Sequence, residues 1–318
     1  PLAPKRVADT RTDSGLADSG QAPGPGQTLE VQVAGADGVP SSGVAAVVLN
    51  VTVTVPTAGS FITVFPTGMS VPNASTMDFQ GAQTQADLVE VALGRDGQVS
   101  VYNARGWTQV IVDVEGWYDA SNPSSGAGLY NSVTPYRVAD TRPGTGTPYS
   151  GHALGPGQSV TLQIAGVDGV PTTGAEAVNI NVTAVDATAD SFLTVYPAGT
   201  AQPTSSAVNF VPGQAVPNLA VVELGGSGGI TVTNSVGSVD VIVDLAGWYT
   251  SGATGATTGS SFHTLVPVRV VDTRSGSGYA YSGDTLGPNG TLPISLAGLD
   301  GIPSTGVTGV VMLSLIHI

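Results

Sequence analysis

The feature that most constrains the fold is a long internal repeat. The hexapeptide RVADTR at Arg6–Arg11 returns unchanged at Arg137–Arg142, 131 residues later, and as RVVDTR at Arg269–Arg274 after a further 132 residues. A second block, AGADGVPSSG at Ala34–Gly43, becomes AGVDGVPTTG at Ala165–Gly174 with the same spacing. A period near 130 residues is too long for a solenoid repeat and suits an independent domain. The chain is therefore predicted to hold tandem copies of one domain.

The repeat divides the 318 residues into two complete copies and a shorter third one. The segments are copy 1 at residues 1–119, a linker at 120–128, copy 2 at 129–250, a linker at 251–261, a truncated copy 3 at 262–312 and a tail outside the repeat at 313–318. Both linkers are rich in Gly, Ser and Thr and are expected to be flexible. Copy 3 lacks its last strands, so we expect it to expose apolar edges and to be partly disordered unless another chain completes it.

Alternation of apolar and polar residues predicts β-strands with one buried face. The pattern is clearest over Val47–Thr54 and recurs over Val178–Thr183. Further strands of copy 1 are predicted at Thr28–Ala34, Phe61–Phe65, Ser75–Phe79, Leu88–Leu93, Val99–Tyr102 and Val110–Val114. No segment has the pattern of an amphipathic helix. The prediction is an all-β chain of tandem antiparallel β-sandwich domains, jelly-roll-like, with a small β-barrel as the alternative.

The composition limits the classes of partner that the chain is expected to bind. Only 10% of residues are charged and the net charge is −14, which argues against nucleic acid and anionic membranes, because both attract clustered Lys and Arg. The absence of cysteine excludes disulfides and thiolate chemistry. No apolar run reaches the roughly 18 residues that a membrane-spanning helix needs. The abundance of Gly, Ser, Thr and Val suits a secreted or cell-surface β-protein.

Six of the nine basic residues lie in the repeated motif. In an extended segment Asp9 and Arg11 share one side and Arg6 points to the other, whereas a tight turn brings all three together. We interpret the motif as a clasp that closes each domain, with Asp113 and its equivalent Asp244 as partners. The alternative is an anion or sugar site that uses the arginines.

Aromatic residues are the other candidates for binding. Trp117 and Trp248 recur and either stack on sugar rings or plug the end of the sandwich, whereas Trp107 belongs to copy 1 alone and is predicted to be exposed at a hairpin tip. Tyr149 follows the motif on a glycine-rich loop. The candidate binding residues are Arg6, Asp9, Arg11, Arg137, Asp140, Arg142, Arg269, Asp272, Arg274, Trp107, Trp117, Trp248 and Tyr149.

No catalytic set recurs between the copies. The three histidines His152, His263 and His317 have no equivalents, and the glutamates do not match between copies. The aspartates that recur are motif or turn residues, so a calcium site is a minor alternative. We expect no catalytic residues, no metal and no cofactor.

The series PxRVxDTR, LGPGQ, AGxDGVPxxG, NVT and VIVDxxGWY resembles a repeated module of secreted actinobacterial proteins. The resemblance covers both complete copies and the third, shorter one, although copy 1 has Pro23 where copy 2 has Leu154. Such modules have no established activity and often accompany extracellular hydrolases, so the resemblance implies an extracellular location and a possible fused hydrolase.

The hypothesis from the sequence is a non-catalytic module that binds a polysaccharide or cell-wall glycan and holds its protein there. Several weak sites on one chain bind a surface more tightly than a single site does, which would explain the repetition. The alternative hypothesis is a purely structural stalk or filament without ligand.

Overall fold

The computed structural model describes residues 2–72, 75–120, 126–251, 259–261, 263, 269–299 and 301–312. Within these ranges the regular structure is β-strand, apart from a single 3-10 turn at Arg95–Gly97. The predicted all-β fold is confirmed. The tail at 313–318 and most of both linkers lie outside the described residues. Among the residues described, no helix has the length and apolar character needed to cross a bilayer.

Copy 1 contains eight strands in two four-stranded antiparallel sheets. The strands are β1 Lys5–Asp9, β2 Gln27–Gln32, β3 Val44–Thr54, β4 Ser60–Pro66, β5 Met77–Phe79, β6 Gln85–Ala92, β7 Gln98–Asn103 and β8 Gln109–Asp119. The strand orders are β1-β8-β3-β6 and β2-β7-β4-β5. Eight strands ordered in this way form a jelly roll, so the predicted sandwich is present and the barrel alternative is not.

Copy 2 repeats this topology. Its strands are β9 Ala127–Asp140, β10 Ser159–Gln163, β11 Ala175–Val185, β12 Ser191–Pro197, β13 Val208–Phe210, β14 Val216–Glu223, β15 Gly229–Asn234 and β16 Asp240–Ser251. The sheets have the orders β9-β16-β11-β14 and β10-β15-β12-β13. Strand β9 begins at Ala127, so the last two residues of the stretch assigned as a linker belong to a sheet.

Each sandwich encloses its own apolar core. In copy 1 the inward side chains of β3, such as Leu49 and Val51, pack against Val64 of β4 and Val101 of β7 in the opposite sheet. All of these are fully buried. The observed strands contain the predicted ones or overlap them, except that the strand predicted over Ser75–Phe79 forms only at its last three residues. Period-two alternation of β-branched residues therefore located the strands well.

The outer face of β3 differs from the expectation. The alternation predicted one buried and one exposed face, but Val48, Asn50 and Thr52 are also buried. Copy 2 packs on Val48 and hydrogen-bonds Asn50. Polar residues on this face therefore mark a contact between domains rather than a solvated surface.

The two complete copies pack against each other through equivalent sheet faces. Val48 of copy 1 forms an apolar cluster with Ala177, Val221 and Tyr249 of copy 2. The Tyr249 hydroxyl lies 3.2 Å from that of Tyr118, its equivalent in copy 1. Contact between equivalent residues is the signature of an isologous, two-fold-like arrangement. We call this contact the copy 1–copy 2 interface.

Polar groups complete the copy 1–copy 2 interface. Asn218 donates from Nδ2 to Asn50 Oδ1 at 3.0 Å and accepts from the Leu88 backbone N–H at 3.0 Å. The Asn50 amide donates to the Ser206 carbonyl at 2.5 Å. Because buried polar groups are costly unless paired, these hydrogen bonds fix the alignment of the two domains.

Copy 3 has no regular strand within its described residues. A parallel bridge joins Val271 and Ala280 in copy 3, and a second bridge joins Ser260 of the preceding linker to Tyr130 of copy 2. Several large apolar side chains of its described residues are exposed: Leu286, Ile294, Leu299, Val307, Val310, Val311 and Met312.

Candidate functional site

The motif residues of copy 1 converge on one carboxylate. Arg11 donates to Asp9 from Nε at 2.9 Å, from Nη2 at 2.6 Å and from its backbone N–H at 3.1 Å. Arg6 donates from Nε and Nη2 to the two oxygens of Asp113 on β8, at 2.9 and 3.1 Å, and from Nη1 to Asp9 at 3.5 Å. We call this set, together with its equivalents in the other copies, the DTR clasp. The predicted partnership with Asp113 is confirmed.

A β-bulge explains why all three side chains meet. The register of β1 on β8 shifts between Arg6 and Ala8, and the same shift occurs in copy 2 next to Arg137. An extra residue at a bulge returns the following side chains to the same face of the sheet. Of the two arrangements considered from the sequence, the three side chains converge, and a bulge in an extended strand rather than a tight turn brings them together.

Copy 2 reproduces the DTR clasp closely. Arg137 donates to Asp244 at 2.8 and 3.1 Å and to Asp140 at 3.2 Å, and Arg142 donates to Asp140 at 2.9 and 2.7 Å. The side-chain hydrogen bond from Arg142 is the main cause that lowers the pKa of Asp140 below its ordinary value. The carboxylate is therefore ionised across the physiological pH range.

Copy 3 retains the contacts of the DTR clasp in which both arginines pair with Asp272. Arg269 lies 3.3 Å and Arg274 2.5 Å from the Asp272 carboxylate. The pairing persists without surrounding strands, so it is a local property of the hexapeptide.

The threonine of the motif was missed as a functional residue. Thr10 is fully buried, donates to Gln109 Oε1 at 2.7 Å and accepts from the Val110 backbone N–H at 2.8 Å. Thr141 makes the same two contacts with Asp240 and Val241. Its presence in all three hexapeptides was the signal in the sequence.

The recurring tryptophans pack against the cores of their own domains. Trp117 is partly buried against the core of copy 1, and Trp248 is partly buried against that of copy 2. Tyr149 also packs on the core of copy 2 and donates its hydroxyl to the Thr161 carbonyl at 3.2 Å. These contacts support the interpretation of the three aromatic side chains as packing residues.

Trp107 has a different environment. It is 53% exposed at the tip of the loop between β7 and β8, as the sequence predicted. Its backbone N–H donates to Thr57 Oγ1 at 2.9 Å, and its ring lies over Gly24, where a Cβ atom would come within 3.1 Å of the indole. The buried Asn103 amide, another residue that the sequence analysis missed, donates to the Gly106 carbonyl at 2.8 Å and so anchors the loop.

A surface groove of about 420 Å³ runs between Trp107 and the DTR clasp of copy 1. Its lining residues are Arg11, Thr12, Ala22, Val55, Thr57, Trp107, Thr108 and Gln109. Nη1 of Arg11 makes no hydrogen bond to the described part of the chain, while Nε and Nη2 are held by Asp9. The groove thus combines a flat apolar ring, hydroxyl groups and a fixed guanidinium. Copy 2 keeps the same loop contacts but has Ser238 in place of the tryptophan.

The described residues contain no group of three or more His, Cys, Asp or Glu side chains arranged to hold a metal ion. Glu115 is buried and Glu90 is partly buried at the copy 1–copy 2 interface, although neither was a candidate from the sequence. Neither glutamate recurs between the copies, so a comparison of the copies does not single them out.

Comparison with known proteins leaves the family open. No protein-family model matches the chain, and no curated protein matches it. Among solved structures, the PBSX exported protein XepA is 8% identical, with 77% of this chain and 88% of that chain covered and a TM-score of 0.23. The tandem CBM22-1–CBM22-2 domain of Paenibacillus barcinonensis Xyn10C is 10% identical, with 79% and 99% covered and a TM-score of 0.23. Similarities this low carry no argument about fold or ligand.

Proposed function

We propose that the chain is a non-catalytic extracellular attachment module, and that copy 1 binds a polysaccharide or cell-wall glycan in the groove between Trp107 and Arg11. The observation that carries the proposal is the exposed Trp107 ring held beside a fixed guanidinium. A flat indole offers apolar area to a sugar ring, and large aromatic side chains supply much of the energy at binding surfaces. Thr12 and Thr57 add hydroxyl groups for a polyhydroxylated ligand.

The construction of the groove supports recognition by a rigid surface. The Asp9 carboxylate fixes two nitrogens of Arg11, and Thr57 fixes the backbone of Trp107. Preorganised groups lose little conformational entropy on binding. A shallow site that a sugar chain crosses from one side needs such rigidity, because it cannot surround its ligand.

The wider parts of the proposal rest on the sequence. The acidic composition and the resemblance to modules of secreted actinobacterial proteins support an extracellular location, where the chain would hold a fused hydrolase near its substrate. The recurring charged residues are committed to the DTR clasp, which supports a binding rather than a catalytic role.

The test is retention of the whole chain on insoluble polysaccharides and on purified cell walls. We expect Trp107→Ala to weaken retention at least about tenfold. The matched control is Val236→Ala, which truncates an apolar residue of similar exposure, 52%, on the equivalent loop of copy 2. If the wild-type chain is retained on none of these surfaces, or if Trp107→Ala is retained equally well, the proposal is wrong.

A structural role is the second candidate, favoured by the copy 1–copy 2 interface. Two domains locked face to face form a thicker and stiffer unit than two domains on a flexible tether. Electron microscopy of the whole chain discriminates: regular rods or filaments without glycan retention support a stalk, and separate particles that bind glycan support attachment.

A further inference from the structure

Two glutamates of copy 1 lie where the copies meet, Glu115 buried and Glu90 partly buried. Glu115 of β8 is 5% exposed, and its Oε2 accepts a hydrogen bond from the Val221 backbone N–H of copy 2 at 3.3 Å. Glu90 of β6 accepts one from the Tyr118 hydroxyl on Oε1 at 3.1 Å, while its buried Oε2 has no hydrogen-bond partner. A charged carboxylate with an unpaired buried oxygen is costly, whereas the protonated acid is tolerated.

The groups around these glutamates offer little compensation for negative charge. Glu90 faces three tyrosines: Tyr118 on β8 and Tyr249 on β16, whose hydroxyls offset part of the effect of burial on its pKa, and Tyr130 on β9. Glu115 has Asp113 as its charged neighbour, and that carboxylate is already paired with Arg6. Among the described residues, no Lys, Arg or His side chain is hydrogen-bonded or ion-paired to either glutamate.

The protonation of both glutamates follows from this environment. Burial raises the pKa of Glu90 to about 7 and that of Glu115 to about 8, and the Asp113 charge adds to the effect on Glu115. A third carboxyl, that of Asp87 on β6, also has a pKa raised to about 7 by burial. Water would restore the ordinary value of about 4.3 to either glutamate if the copies separated.

The carboxyls are confined to one side of the interface. The residues of copy 2 equivalent to Glu90 and Glu115 are Val221 and Ala246, which do not titrate. At these positions the copy 1 face of the interface therefore carries carboxyls that can ionise, and the copy 2 face carries none. The pH dependence of the contact between the two copies therefore comes from Glu90 and Glu115 of copy 1.

We propose that protons control the contact between the first two copies: the interface is closed while Glu90 and Glu115 are protonated and opens when they ionise. The closed state binds more protons than the open one, so its advantage is complete below about pH 4.3 and is lost as the pH rises towards 8. Opening uncovers the face of β8, β3 and β6, including Val48 and Asn50. This device does not depend on glycan binding.

The test follows the whole chain by small-angle X-ray scattering and amide hydrogen exchange from pH 5 to pH 8. We expect a larger radius of gyration at the higher pH. After correction for intrinsic exchange, we expect the protection of the Leu88 and Val221 amides to fall at least about tenfold, because both donate across the interface.

The variants separate proton control from general instability. Glu90→Gln combined with Glu115→Gln keeps the shape of both side chains without their charge, so the interface should stay closed at pH 8. Glu30→Gln is the matched control, because that half-exposed glutamate lies in the other sheet of copy 1 and should leave the pH response unchanged. A wild-type chain with the same scattering and protection at both pH values, or a double variant that opens like the wild type, would overturn the proposal.

Discussion

Asp140 is the residue on which the DTR clasp of copy 2 depends. It is 2% exposed and receives hydrogen bonds from Arg137, from the Arg142 side chain and from the Arg142 backbone. Charge-assisted bonds of this kind are stronger than neutral ones. Without the carboxylate, the two guanidinium groups would lose their shared acceptor at the surface of the sheet.

Replacing Asp140 with alanine should therefore destabilise copy 2. We expect a loss of about 2–3 kcal/mol in the free energy of unfolding, since the arginines are partly exposed and regain some hydration. Chemical denaturation of the whole chain, followed by the protection of copy 2 amides, measures it. Asp190→Ala, at an exposed position of the same copy, should change the free energy by less than about 0.5 kcal/mol. If both changes lowered the free energy of unfolding by the same amount, Asp140 would not stabilise the domain through the DTR clasp.

The residue scale was only partly predictable from the sequence. Repetition identified the hexapeptide, and charge complementarity identified Asp113 and Asp244 as its partners. The convergence of Arg6 and Arg11 on one aspartate required a bulge, and nothing in a run of extended residues shows where a sheet inserts an extra one. Glu90 and Glu115 were overlooked because burial between domains leaves no repeated pattern.

At the scale of elements, the turn between β14 and β15 brings backbone into close contact. A Cβ atom on Gly225 would lie 2.0 Å from the Ala198 carbonyl oxygen, and one on Gly94 in copy 1 would lie 2.1 Å from the Thr67 nitrogen. Real Cβ atoms do not approach backbone so closely, so the β14–β15 turn would have to move away from β12.

Gly225→Ala should consequently destabilise copy 2, by about 1–3 kcal/mol or more, because the clash is with backbone that cannot rotate away. The neighbouring Gly226→Ala is the control, since a Cβ there meets nothing within 4 Å. Thermal unfolding of both variants under identical conditions checks the difference. Similar melting temperatures for the two variants would contradict the structure.

Elements were the best predicted level. Alternation located most strands of copy 1 because each has a side that packs on the apolar core and turn residues at its ends. The faces were less predictable. The alternation over Val47–Thr54 marked the core side correctly, but the polar side was expected to be solvated and is buried, since alternation is blind to what a second domain covers.

On the scale of the whole molecule, Asn218 couples the two copies. Its side chain bonds Asn50 and Leu88 in copy 1 and the Ala207 carbonyl in its own copy. At pH 5, where the interface is expected to be closed, copies 1 and 2 should unfold as one cooperative unit.

Asn218→Ala should split that unit. The change leaves the Leu88 amide and the Asn50 carbonyl without partners, so we expect one calorimetric transition to separate into two, with the lower one shifted down by several degrees. Asn131→Ala is the control, because its amide bonds Leu129 within one strand. Two transitions already present in the wild type would contradict the coupling.

Tandem organisation could be predicted from the sequence, but the packing of the copies could not. Copy 1 and copy 2 were expected to be linked by flexible segments, as the composition of the stretch at 120–128 indicates. The interface that joins them uses residues scattered over seven strands, and each residue taken alone resembles an ordinary position of a β-sheet.

The meeting of Tyr118 with its own equivalent, Tyr249, sets a rule of parity for arrays of this domain. A contact in which both partners offer the same face is used up once it forms, so a further domain cannot extend it by repeating it. Arrays that use this contact must be counted in twos, and a domain left over at an odd position keeps its face available for a counterpart elsewhere.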